Sequence, residues 1–275
     1  MSAQTRAEDL RNRLNSGESV LMPGVWDPLS ALIVQQSGFS TAFVSGFAVS
    51  GTLLGRPDVG YLTQTEMAEV AQRVCSSVPT LNVIVDADTG YGDPMTVRRT
   101  VELWEQAGAA GLFLEDQVWP KKCGHMDGKQ VVEREDWLAK LRAACDHREH
   151  LHVTARTDAR AAVSLNEAIE RAKMARDCGV DALFVEAPQS VEEMEAIANA
   201  LPDITLVANM VEKGKTPLLT PSELAELGFR LIVSPLSLLL SAVQAMSTAA
   251  QRLADVGSLR TYLADVAPFD SFTDL

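Results

Sequence analysis

Cysteine is scarce and scattered in this chain: Cys75, Cys123, Cys145 and Cys178 are its four, with no paired spacing. That points to neither a disulfide framework nor a zinc site, and a reduced, cytoplasmic protein fits best. Aromatic residues are only 5% of the sequence, and no apolar run reaches the ~20 residues needed to span a bilayer. The opening stretch, Met1 to Leu10, lacks the apolar core of a secretory signal. Basic residues are in deficit, 24 Lys and Arg against 37 Asp and Glu, and the net charge of −13 argues against nucleic acid as a partner. A small anionic substrate stays open, because a few local cations can dominate one pocket.

What is present is a repeated unit: a short β-branched or apolar run, a polar punctuation, then a segment of helical period. Strands are expected at 19–25, 41–45, 82–86, 111–115, 152–156, 182–186, 205–209 and 230–234. Helical segments fall between them at 63–75, 95–107, 133–147, 165–178, 191–200 and 221–227. Several helices end at glycine (Gly108, Gly179, Gly228), which suits a left-handed cap before the next strand. Eight strands alternating with helices mean a parallel sheet, and 47% hydrophobic content over 275 residues suits one closed (β/α)8 barrel of the TIM type. No linker divides residues 1–275, so a single domain is expected, with extra helical structure from about residue 250.

In such a barrel the C-terminal strand ends converge on one mouth, where catalytic residues sit. Here those ends read Ser45-Gly46, Asp86-Ala-Asp88, Glu115-Asp116, Arg156-Thr-Asp158, Glu186 and Asn209. An acid at one strand end is often only a helix cap, but six polar ends in succession are harder to dismiss. Asp86 and Asp88, followed by Gly90 and Gly92, form a candidate metal site. All-oxygen ligands without a histidine cluster favour Mg²⁺ or Mn²⁺ over zinc, with Asp58 and Glu115 as outer-shell acids acting through water. The run Leu114-Glu-Asp-Gln-Val-Trp-Pro-Lys-Lys-Cys-Gly-His-Met126 places a thiol among cations. That setting lowers its pKa and suits it to proton transfer near neutrality. The bland alternative is a basic surface loop with an incidental cysteine.

These residues resemble the isocitrate lyase/phosphoenolpyruvate mutase superfamily, from about Pro23 to about Leu253. The resemblance is carried by Val44-Ser-Gly46, Leu54-Gly-Arg-Pro-Asp58, Asp86-Ala-Asp-Thr-Gly-Tyr-Gly92, Lys121-Lys-Cys-Gly-His125, Ala155-Arg-Thr-Asp158 and Ala208-Asn209. Glu115 to Met126, Phe184-Val-Glu-Ala-Pro188 and Gly214-Lys-Thr-Pro217 place it nearest the branch of petal death protein, 2,3-dimethylmalate lyases and oxaloacetate hydrolases.

The resemblance implies a carbon–carbon lyase that cleaves C2–C3 of a 2-hydroxy or hydrated 2-oxo dicarboxylate. Asp86 and Asp88 would hold Mg²⁺, with Mn²⁺ a possible substitute, and Asp58 and Glu115 would stand behind them. Ser45, Gly46 and Phe47 would hold a substrate carboxylate through backbone amides, and Arg156 would fork onto another. Cys123 would be the general acid on a closing loop, with Gly124 lining the pocket and Lys121, His125, Glu115 and Arg156 in the catalytic set. Glu186 and Asn209 complete the pocket, and Ser237 helps position a hydrate unless it is only a helix N-cap. Phe47 and Leu240 depart from the tricarboxylate-cleaving pattern, where an arginine stands in place of Leu240, and so disfavour a third carboxylate. The alternatives are a 2-methylisocitrate or isocitrate lyase, a phosphonate-forming or phosphonate-cleaving relative, and an idle binding protein on the same barrel. The implied assembly is a homotetramer with exchanged C-terminal helices, with no membrane or nucleic-acid partner.

Overall fold

A computed structural model describes residues 1–122 and 128–273. Eight parallel strands close into a barrel in chain order. They are β1 (Val20–Val25), β2 (Thr41–Val44), β3 (Asn82–Asp86), β4 (Gly111–Glu115), β5 (His152–Thr157), β6 (Ala182–Val185), β7 (Thr205–Asn209) and β8 (Phe229–Ser234). Each expected strand is present to within a residue or so. Closure pairs Val20 to Pro23 of β1 with Leu231 to Ser234 of β8.

The helices start where the sequence supplies caps. Thr63 and Glu66 form a reciprocal capping box on the helix Gln64–Ser77, and Thr220 and Glu223 do the same for Pro221–Glu226. Gly108, at φ +89°, ends Pro94–Ala107 in the left-handed region that glycine enters without steric cost.

Strand alternation splits the apolar residues into two sets. Val83, Val85, Leu112, Leu114, Val153, Leu183, Leu206 and Ile232 face the helices in one cluster. Met22, Phe43, Ile84, Phe113, Phe184, Val207, Leu231 and Val233 fill the barrel interior in the other. Phe43, Phe113, Phe184 and Val233 come from β2, β4, β6 and β8, the alternate-strand layering of such barrels. The rings stack in sequence, Phe43 on Phe113 at 4.8 Å and Phe113 on Phe184 at 5.6 Å between centroids. Two residues beyond Phe43, Phe113 and Phe184 along the chain stand Ser45, Glu115 and Glu186, and the site begins there.

The opposite end is closed by the helix Ala3–Asn15, whose Leu10 and Leu14 join the interior cluster. Arg6 anchors it by donating to the carbonyls of Gly108, Cys75 and Val78, and Arg11 by pairing with Asp181 at 2.9 Å. The last long helix, Ser237–Val256, starts well before residue 250, and short helices Leu263–Asp265 and Phe269–Thr273 follow it. No helix among the described residues is long and apolar enough to cross a membrane.

His152, at the start of β5, is buried, and its Nδ1 has no hydrogen-bond partner. Burial pushes its pKa down to about 4 from the usual 6.5, opposed by Asp181 and aided by Arg11 and Arg148. Between those values the unfolded chain binds a proton that the folded chain refuses. The stability tied to a neutral His152 is therefore whole above about pH 6.5 and is lost as pH falls toward 4. The loss amounts to roughly 3 kcal/mol. Urea denaturation of wild type and His152→Gln at pH 7 and pH 4.5 should show the variant losing less stability on acidification by about that amount. Equal losses in both proteins would contradict this.

Candidate active site

The left-handed turn after β3 decides where its acids point. Asp88 (φ +45°), Gly90 (φ +85°) and Tyr91 (φ +62°) fold the chain back on itself, and the Asp88 amide donates to Asp86 Oδ1 at 3.1 Å. A Cβ on Gly90 would lie 2.4 Å from Val97 Cγ2, so only glycine fits this bend. Gly46 presses equally close from β2: its amide lies 3.4 Å from Asp86 Oδ2, and a Cβ there would come within 2.9 Å of the same oxygen. Asp58, from the loop before Gln64–Ser77, completes the acidic side, and Lys121 reaches into it. The Lys121 Nζ lies 2.6 Å from Asp58 Oδ1 and 2.7 Å from Asp88 Oδ1, with all three side chains buried.

Facing this group is Arg156 at the end of β5. Its Nε lies 3.0 Å from Asp158 Oδ2 and 3.3 Å from Glu115 Oε2, while Nη2 lies 3.2 Å from Glu186 Oε2. Its guanidinium sits 5.3 Å from the centre of the Phe184 ring, on the aromatic layer. Asn209 Nδ2 donates to both oxygens of Glu186 at 3.3 Å. Between the two groups lies a small cavity of about 50 Å³, with Ser45, Asp86, Lys121, Arg156, Glu186 and Asn209 on its polar walls and Phe47 on its apolar side.

The electrostatics follow from burial. Burial pushes the Asp88 carboxyl up to about 7, reinforced by Asp86 and Asp58 and opposed by Lys121. It also raises Glu115 well above the carboxylate range, against the pull of Arg156. Asp158 would likewise be raised by burial, yet Arg156 and Lys129 hold it below the ordinary value. Oδ2 of Asp88 and Oε1 of Glu115 have no hydrogen-bond partner although both are buried. Among the described residues no three acids, histidines or cysteines converge closely enough to hold a metal ion by themselves. Buried, unpartnered carboxylate oxygens fit a Mg²⁺ or Mn²⁺ ion that keeps several waters and takes few protein ligands.

The structure thus brings together Ser45, Gly46, Phe47, Asp58, Asp86, Asp88, Glu115, Lys121, Arg156, Glu186 and Asn209. Cys123, Gly124 and His125 lie outside the described residues. Ser45 uses its hydroxyl to cap the amide of Ala48 at 3.4 Å. Ser237 is neither on this cavity nor an N-cap. Its hydroxyl donates to Glu212 Oε1 and pairs with Ser234 Oγ, and it lines a separate groove with Leu240, Lys213 and Arg252.

Sequence reasoning missed a supporting shell. Asp116 accepts from Thr157 Oγ1 at 2.6 Å and the Asp158 amide at 2.8 Å, and pairs with Arg171. Lys129 Nζ reaches Asp158 at 2.5 Å, and Gln117 holds both main-chain groups of Lys122. The i, i+2 spacing of Arg156 and Asp158 at a strand end was the available signal for part of it.

The phosphoenolpyruvate phosphomutase family model matches residues 10–254. The chain is 48% identical to the chloroplastic carboxyvinyl-carboxyphosphonate phosphorylmutase of Arabidopsis thaliana, over 93% of this chain and 77% of that protein. It is 46% identical to the petal death protein of Dianthus caryophyllus, over 94% and 81%. Among solved structures, oxaloacetate acetylhydrolase bound to the inhibitor 3,3-difluorooxalacetate superposes with a TM-score of 0.93 at 36% identity, covering 98% of this chain and 92% of that one. On the family match, the two relatives and the shared barrel together, this chain belongs to the phosphoenolpyruvate mutase/isocitrate lyase superfamily.

Proposed function

We propose that this protein is a Mg²⁺-dependent lyase that cleaves the C2–C3 bond of a 2-hydroxy or hydrated 2-oxo dicarboxylate. A 2-alkylmalate would give a 2-oxo acid and a simple carboxylate, and oxaloacetate would give oxalate and acetate. The observation that carries this is the cavity itself: a buried acid group suited to a divalent cation faces the Arg156 guanidinium across an aromatic floor. A substrate with an oxygen-rich end, a second carboxylate and small alkyl groups matches all three surfaces. Arg156, on the wall of this cavity, offers the planar guanidinium that suits a substrate carboxylate.

Bound at Asp86 and Asp88, Mg²⁺ would supply Lewis-acid polarisation of the 2-oxygen and the adjacent carboxylate. The chain's own groups do the rest. A carboxylate of the acid group takes the hydroxyl proton, the C2–C3 electron pair stays on C3, and the Cys123 thiol protonates that carbon. Phe43, Phe113 and Phe184 keep water from the floor while the carbanion exists. The work is done in the cytoplasm.

The phosphonate chemistry in the name of the Arabidopsis relative is the second reading. The cysteine-bearing motif after Lys121-Lys122 favours the lyase. An assembly larger than one chain is also proposed, a homotetramer built through the C-terminal helices. In Ser237–Val256 only Leu239 is buried, while Leu240, Val243, Met246 and Leu253 are exposed, and Phe269 beyond it is 88% exposed. Light scattering should read four times the 29.7 kDa chain mass; a single chain mass would remove this proposal.

The substrate test is a panel of 2-alkylmalates, oxaloacetate, 2-methylisocitrate and phosphonopyruvate, assayed with and without Mg²⁺. Lys121 is already paired with two acids and Arg156 with three. A third substrate carboxylate would be desolvated beside acids, at a cost of several kcal/mol. Small dicarboxylates should therefore exceed 2-methylisocitrate in kcat/KM by at least about 10²-fold, since each 1.4 kcal/mol is about tenfold. Ranking 2-methylisocitrate or phosphonopyruvate first would sink the proposal.

A further inference from the structure

We infer that the Lys121 ammonium and the divalent cation compete for the same carboxylates, so that metal binding expels Lys121 from between Asp58 and Asp88. The inference rests on the reading of Asp86 and Asp88 as the metal site and adds what happens to the side chain that now stands there.

Lys121 is not a surface lysine leaning on an acid. It is 4% exposed, and its one nitrogen lies within 2.7 Å of oxygens on two acids from different loops. Asp58 comes from the loop after β2 and Asp88 from the turn after β3. The groups that bear on it electrostatically are Asp88, Asp58, Asp86 and Glu115, all acids. One positive charge therefore neutralises part of a buried acid group that, bare, would be strongly unfavourable.

A divalent ion binds carboxylate oxygen at about 2.0–2.1 Å for Mg²⁺. An ammonium hydrogen-bonded to the same Asp88 oxygen would then lie only a few ångströms from a doubly charged ion, in a site shielded from water. Two like charges that close in a buried site repel strongly. The carboxylates serve one cation or the other. The exchange needs no rearrangement of the main chain. Gln117 clamps the next residue, donating from Nε2 to the Lys122 carbonyl at 2.8 Å and accepting the Lys122 amide at 3.0 Å. The flexible four-carbon stem of Lys121 can swing while that backbone stays fixed. Lys121 would then be a positioning residue in the metal-free enzyme: it holds Asp58 and Asp88 together until the ion arrives.

The test measures metal affinity rather than turnover. EDTA-stripped wild type and Lys121→Met are titrated with Mn²⁺ without substrate, and free Mn²⁺ is read by electron paramagnetic resonance. Removing the competitor should tighten Mn²⁺ binding at least tenfold. Equal or weaker binding by a folded Lys121→Met would overturn the exchange while leaving the metal site standing. No binding by either protein would remove the metal reading and the exchange with it. Should the stripped variant fail to fold, wild type alone answers through acetic anhydride labelling read by mass spectrometry. Mg²⁺ should raise modification of Lys121 several-fold if the amine is expelled, and unchanged labelling would overturn the inference.

Discussion

The mouth of this barrel depends on keeping a dense set of carboxylates charged out of reach of bulk water. Asp58, Asp88, Glu115, Asp158 and Glu186 are all buried, and the cations set against them are Arg156, Lys121 and Lys129. Desolvation alone would neutralise such acids by protonation. Which of them keep their charge depends on how far nearby cations offset burial. Asp158, gripped by Arg156 and Lys129, stays below the usual range, whereas burial raises Asp88 and Glu115 despite Lys121 and Arg156, with neighbouring acids adding to the rise. The two sides of the cavity differ for this reason. The Arg156 side is a lattice of paired charges on the cavity wall, and the Asp86–Asp88 side carries an unmet demand for positive charge.

The barrel makes this arrangement affordable. Alternation along each strand sends every second residue inward, and those residues form apolar layers up to Phe43, Phe113, Phe184 and Val233. Beyond that layer the inward positions carry the acids and Arg156, so these charges share one end of the barrel with a hydrophobic support beneath. Glu115 and Arg156 are direct partners in the β4–β5 register, which places an acid beside the guanidinium without loop rearrangement. The Asp116–Thr157–Arg171 contacts behind the strand ends fix the backbone from which Arg156 and Asp158 project. The acids most in need of a cation are instead held by turns, Asp88 by a left-handed bend and Asp58 by the loop after β2.

Much of this could be read from the sequence, because strand ends obey local rules. Val83-Ile-Val-Asp86 and Leu112-Phe-Leu-Glu115 announce both the strand and its functional end. Helix boundaries likewise followed local chemistry, as at Thr63 and Gly108. The N-terminal helix Ala3–Asn15 escaped because Ala7, Leu10 and Leu14 are spread among Arg and Asp, so its apolar stripe is thin. Its value lies in long-range contacts such as Arg6 to the Val78 carbonyl. The last helix begins at Ser237 with no side-chain cap, so its start carried no local signal. Ser237 itself, expected at the site or as a cap, is captured by Glu212 from the loop after β7. The place of Lys121 was equally hidden: its acids lie 63 and 33 positions earlier in the chain, and no spacing rule connects them.

The central claim is that the Asp86–Asp88 side of this mouth is built for a divalent cation that turns a small dicarboxylate cavity into a lyase site. EDTA-stripped protein assayed with oxaloacetate, with oxalate quantified as Mg²⁺ is titrated back, tests it most directly. Oxalate formation should be absent without metal, rise saturably with Mg²⁺ and stay absent in Asp86→Ala at every Mg²⁺ concentration, with the variant's thermal unfolding intact. Full oxalate formation by the stripped wild type, or by Asp86→Ala, would contradict the account.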